Sequence, residues 1–129
     1  MVAAHMDEVV RVLNEVDDNQ IVDFIKAVSW ARDINHRGVI YTAGNGGSAA
    51  NDQVVVFTTS GKSLNLLKLL SHPKVKAHAF VGNHKQVLAG LNIHAPSADS
   101  GVVEDVHSAM IHAVKNVLVT VPQDELTTP

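Results

Sequence analysis

Val39-Ile40-Tyr41-Thr42-Ala43-Gly44-Asn45-Gly46-Gly47-Ser48 is the stretch on which the fold turns. Its first half is an unbroken run of apolar and β-forming residues with no polar alternation. That pattern belongs to a strand buried on both faces, as in a parallel sheet. Its second half is a glycine-rich loop that follows the strand at once. In parallel α/β sheets, ligands gather at the carboxyl ends of the strands. A small-residue loop in that position is therefore a candidate binding loop.

The rest of the chain fits around this unit. Upstream, Asp7 to Val16 carries Val9, Val10, Val12, Leu13 and Val16 at helical spacing, which predicts one buried face. Asn19 is placed to cap a second helix, from Gln20 to about Asn35, with Ile21, Phe24, Ile25, Val28, Trp30 and Ala31 turned inward. Gly38 suits the end of that helix. Downstream, Val54 to Phe57 reads as a second strand, Leu64 to Leu70 as a helix ended by Ser71-His72-Pro73, and Ala77 to Val81 as a third strand. Leu91 to Ala95 reads as a fourth strand, Pro96 to Gly101 as a loop, Val102 to about Val119 as a long helix, and Val121 to Pro129 as a frayed tail. Strand, loop and helix in alternation predict an α/β fold. The expected architecture is one domain over residues 1–129: a three-layer α/β/α sandwich on a parallel, flavodoxin-like or Rossmann-like sheet, preceded by N-terminal helices over residues 1–37.

Composition narrows the function. The 129 residues suit a single core, which must be built mainly from Val, Ile, Leu and Ala, since aromatic residues make up only 4%. The net charge of −3 and the lack of a basic run give no footprint for direct nucleic-acid binding. There is no cysteine, which excludes a disulfide framework and a thiolate metal site. No window approaches the ~20 apolar residues of a membrane span, and the N-terminus lacks a signal-peptide pattern, so the expectation is a cytoplasmic protein without membrane contact.

Two loops and one helix carry the candidate chemistry. Gly44, Gly46 and Ala49 satisfy the loose dinucleotide pattern G-x-G-x-x-G/A, a weak signal on its own whose alternative is a tight strand-to-helix turn with no ligand. No strand ending in an acid follows about 20 residues later, as a nicotinamide site requires, so no nucleotide cofactor is expected. The backbone N–H groups of Gly46 and Gly47, with the side chains of Asn45 and Ser48, suit an anion or the oxygens of a polyol. The second loop is Thr58-Thr59-Ser60-Gly61-Lys62-Ser63. A P-loop would need a glycine five residues before Gly61, where Val56 stands. Thr58, Thr59, Ser60 and Ser63 at a helix start form a phosphate cradle; the alternative is a plain Ser/Thr helix cap. On the last helix, Glu104 and His107 are three apart and share a face, whereas His107 and His112 are about 140° apart around the helix. Each histidine, taken alone, is a surface or a satisfied core residue before it is a ligand.

Taken together, Gly44-Asn45-Gly46-Gly47-Ser48-Ala49-Ala50 resembles the signature loop of the sugar isomerase (SIS) domain of the phosphoheptose isomerase type. Thr58 to Ser63 resembles the S-T-S-G-N-S phosphate loop of that family, with Lys62 in place of its asparagine. Glu104-Asp105-Val106-His107 and His112 align with its Q-E-x-H-x-x-x-x-H pattern, with Glu104 in place of glutamine. The resemblance implies an aldose–ketose isomerase that converts sedoheptulose 7-phosphate to a heptose 7-phosphate through an enediol. His112 inherits the general base role, and Glu104 and His112 would be ligands for the zinc that some members bind. The resemblance also implies a homotetramer with sites at subunit interfaces. A non-catalytic SIS module is the alternative, binding a sugar phosphate or a replication-initiation protein, as a relative of the family does.

One part of the family pattern has no counterpart. After the glycine loop the family continues a helix bearing a metal-ligand histidine and a catalytic glutamate, then a further strand and helix. Here Asn51-Asp52-Gln53 runs straight into Val54. A parallel crossover ordinarily takes a dozen or more residues, so roughly 50 residues of the family chain are expected to be missing between Gln53 and Val54. A break in the chain or a true deletion would each account for it; an intact Gln53–Val54 bond would leave the deletion.

Overall fold

The computed structural model describes residues 2–32, 40–42, 53–59, 64–71, 77–83 and 90–122. Four strands, β1 (Ile40–Thr42), β2 (Gln53–Thr58), β3 (Ala77–Val81) and β4 (Asn92–His94), form one sheet in the order β1-β2-β3-β4. Every pairing is parallel, so all four carboxyl ends lie along one edge. Thr58 pairs with Val81, and Val81 with His94, which makes these three residues the last row of the sheet.

Strand alternation sorts the side chains into two cores. Val54, Val56, Ala77, Ala79 and Val81 pack with Leu69 and Leu70 of α3 (Leu64–Leu70) on one face. Val55, Phe80 and Ile93 pack on the other face against α2 (Asp18–Arg32) and α4 (Ser100–Thr120). The expected α/β/α sandwich is therefore present, with N-terminal helices ahead of the sheet. α1 (Val2–Glu15) leans on α4, not on the sheet, and the His5 imidazole meets the Asp105 carboxylate at 2.7 Å across that contact. No helix among the described residues is long and apolar enough to cross a membrane.

Several expectations need correction. α1 begins at Val2, not near Asp7. Only Val12 on it is fully buried, with Val9 and Val16 packed at the margin, while Val10 and Leu13 are exposed with Val2 and Met6. A helix resting on another helix buries a narrower stripe than one resting on a sheet. Asp17, not Asn19, caps α2: its carboxylate accepts the Asn19 N–H at 2.9 Å, and its carbonyl accepts from Gln20. Trp30 faces outward with 37% of its surface exposed. Gln53 and Val54 are successive residues of β2. Residues 43–52 join the parallel pair β1 and β2. That link needs only to return about two residues along a short strand and step ~5 Å sideways, well within the reach of ten residues.

Asp99 sets the start of α4. Its Oδ1 accepts the N–H groups of Gly101 and Val102 at 2.9 and 3.3 Å, satisfying two donors that a helix N-terminus leaves unpaired. Asp99→Ala is expected to lower stability by about 1 kcal/mol, seen as a lower urea midpoint with an unchanged m-value. The link into β4 is fixed by Gly90, at φ 48°, where an added Cβ would lie 2.3 Å from the Ala77 carbonyl oxygen.

Candidate functional site

α4 presents Glu104, His107, Ser108, Ile111 and His112 at spacings of three, four, seven and eight residues from the first. That is the repeat of one helical face, spread over an arc of about 140°. Together with Phe57, near the carboxyl end of β2, these residues line a pocket of about 380 Å³. The size falls within the ordinary range of small-molecule sites. The floor supplied by Phe57 and Ile111 is apolar; Glu104, Ser108 and His112 are exposed and bring a carboxylate, a hydroxyl and an imidazole. Glu104 and His112 thus share one pocket although about 12 Å separates them along the helix axis. His107 and His112 also reach the same pocket, at opposite limits of the arc, contrary to the expectation that they lie apart.

His107 joins the pocket to the sheet. It is 5% exposed, and its Nε2 lies 2.9 Å from the Val81 carbonyl oxygen. A carbonyl oxygen only accepts, so Nε2 carries the proton and donates. The same carbonyl accepts the Ala95 N–H at 2.9 Å, which fills both of its lone pairs. Phe80 and Phe57 hold the ring in place, with centroids 5.7 and 5.9 Å away. Burial pushes the His107 imidazole below its ordinary pKa, outweighing the opposite effects of the Val81 carbonyl and Glu104. Burial does the same to His78, whose Nδ1 accepts the Leu91 N–H at 3.3 Å.

These two histidines predict an acid-sensitive fold. Both are held neutral in the folded chain but take up protons below about pH 6.5 when unfolded. The unfolded state then binds more protons, so stability is complete above that pH and falls as the pH drops toward the lowered folded values. Each histidine contributes a slope of at most about 1.4 kcal/mol per pH unit. Urea unfolding at pH 7.5, 6.5 and 5.5 measures it, and the His78→Gln/His107→Gln double variant should show a flatter profile.

No protein-family model matches the chain, and no curated protein matches it. Among solved structures, the phosphoheptose isomerase GmhA from Neisseria gonorrhoeae superposes with a TM-score of 0.75 at 17% identity, over 89% of this chain and 96% of that one. The fold is that of a phosphoheptose isomerase. Within this phosphoheptose isomerase fold, the pocket brings together Glu104 and His112 of the expected residues. Thr58 is the buried last residue of β2 and Thr59 follows it half-buried; neither lines the pocket. Asn45, Gly46, Gly47, Ser48, Ser60 and Ser63 lie outside the described residues. Among the described residues no group of three His, Asp or Glu side chains is gathered as a metal site. Glu104 and His112 alone fall short of the three protein ligands of a catalytic zinc. Sequence reasoning missed Phe57, Ser108 and Ile111 as lining residues. The helical repeat from Glu104 could have found the two on α4.

Proposed function

We propose that the chain is a sugar-phosphate aldose–ketose isomerase, acting on sedoheptulose 7-phosphate or a close relative. The observation that carries the reading is the single pocket shared by Glu104, Ser108 and His112 on a phosphoheptose isomerase fold. The phosphate would lie on Thr58, Thr59, Ser60 and Ser63, at a helix start that favours anions. The sugar would lie along Asn45 to Ser48. His112 would take the proton from C1 of the ketose as the C2 carbonyl oxygen is protonated, giving the enediol. Return of a proton to C2, with loss of the O1 proton, gives the aldose. Glu104 is the carboxylate that shares the pocket with His112. If zinc is bound, Glu104 and His112 would be its ligands on this chain, with others needed from outside the described residues. The same reading carries a homotetramer as a further proposal.

The short link between β1 and β2 favours a second reading. Its ten residues leave no room for the family's helix with its histidine and glutamate, and on this reading the chain serves as a binding module for a sugar phosphate. Incubation with sedoheptulose 7-phosphate, followed by NMR for the aldose, separates the two. The isomerase reading expects turnover that His112→Ala lowers by at least about 100-fold. Binding without turnover selects the module, and no binding by the unaltered chain removes both.

A further inference from the structure

His107 is the one group in the pocket with its role only half accounted for. Its Nε2–H is spent on the Val81 carbonyl, which in turn is filled by Ala95. The donor position fixes the tautomer, so in the neutral ring Nδ1 carries a lone pair. Among the described residues Nδ1 has no hydrogen-bonding partner. His107 is nonetheless one of the residues that line the pocket, with Phe57, Glu104, Ser108 and Ile111, and among the described residues its Nδ1 is not a fully buried unpartnered atom. A rigid acceptor in a half-apolar pocket is suited to a ligand that offers an O–H.

We propose that His107 is a ligand-binding residue of this pocket, its Nδ1 accepting a hydrogen bond from a hydroxyl of a bound sugar phosphate. The inference rests on the sugar-phosphate reading given above. It separates His107 from His112. His112 is exposed, whereas His107 is buried and held by its bond to the Val81 carbonyl of β3. Its work is orientation: an acceptor at a fixed point selects ligands with a hydroxyl there and rejects deoxy analogues, which leave the lone pair unpaired. The bond to Val81 also couples that point to the carboxyl end of β3, so ligand and sheet share one reference.

The test uses the full chain with 15N-labelled histidine, observed by NMR at pH 7.5, with His107→Gln to assign the His107 resonances. Before ligand is added, His107 should show a protonated Nε2 and an unprotonated Nδ1. At saturation with sedoheptulose 7-phosphate the Nδ1 resonance should move upfield, the direction of an accepted hydrogen bond. His107→Gln keeps an N–H donor near the Val81 carbonyl but lacks the ring acceptor. It should bind the sugar phosphate about fivefold to tenfold more weakly, as befits one lost hydrogen bond. A protonated Nδ1 in the free protein overturns the inference, as does an unmoved Nδ1 at saturation. If His107→Gln fails to fold, His107→Asn supplies the assignment, and the resonances of the unaltered chain still decide. Absence of any binding by the unaltered chain overturns the sugar-phosphate reading and this role with it; binding without a response at His107 overturns this role alone.

Discussion

Phe80→Ala is expected to lower stability by about 3–5 kcal/mol, the range for truncating a buried aromatic residue. Phe80 is fully buried in β3, an inner strand of the sheet. Its ring meets Phe24 of α2 edge-on at 4.9 Å, stacks on Phe57 of β2 at 5.0 Å, and meets the edge of His107 of α4 at 5.7 Å. One ring thus joins two strands and two helices. Such aromatic contacts add about 0.5–1.5 kcal/mol each beyond the area they bury. Against a total of about 5–15 kcal/mol for an ordinary domain, the loss is a large share. Urea denaturation reads it directly. A loss under about 1.5 kcal/mol would mean that the surrounding rings close over the vacancy. Since Phe57 and His107 line the pocket, ligand affinity should fall alongside stability.

The second large effect is expected at Gly82. A Cβ there would sit 2.5 Å from the Thr59 carbonyl oxygen, with Val103 at 3.5 Å behind it. The obstructing atom is backbone, so it cannot turn aside as a side chain would. Either Thr59 or Gly82 must shift, at a cost of about 1–3 kcal/mol by comparison with other overpacked sites. Thr59 opens the hydroxyl-rich loop, and its displacement should weaken sugar-phosphate binding by about tenfold, which corresponds to about 1.4 kcal/mol. Gly101→Ala is the control. Its added Cβ would lie no closer than 3.4 Å to the Asp99 carboxylate, and in a helix alanine is favoured over glycine by up to ~1 kcal/mol. Calorimetric titration with sedoheptulose 7-phosphate, beside urea unfolding, checks both. A Gly82→Ala chain that binds and folds like the original would show that Gly82 and the Thr59 carbonyl are not in firm contact.

The strands are legible because parallel strands covered on both faces must be apolar throughout, as β3 is over Ala77–Val81. What the sequence hid depended on partners. Val10 and Leu13 look inward by periodicity alone, yet α1 packs mainly on α4 and leaves them exposed. Trp30 looks like core by composition and is not. His107 and His112 stood in the reading as separate histidines, because the bond that buries one of them comes from Val81, 26 residues away. The short stretch between β1 and β2 showed as a missing motif, but its feasibility did not: the usual crossover length supposes a full covering helix, and a strand of three residues demands much less.

The two outer strands, β1 and β4, are the shortest in the sheet, with three residues each. Beside β4, the side-chain amide oxygen of Gln20, Oε1, accepts the His94 backbone N–H at 2.9 Å. A sheet margin is where a foreign strand can add and seed fibrils, and short or occupied margins are how soluble chains resist this. Among the described residues, the edges of the sheet therefore offer little to a second copy of the chain.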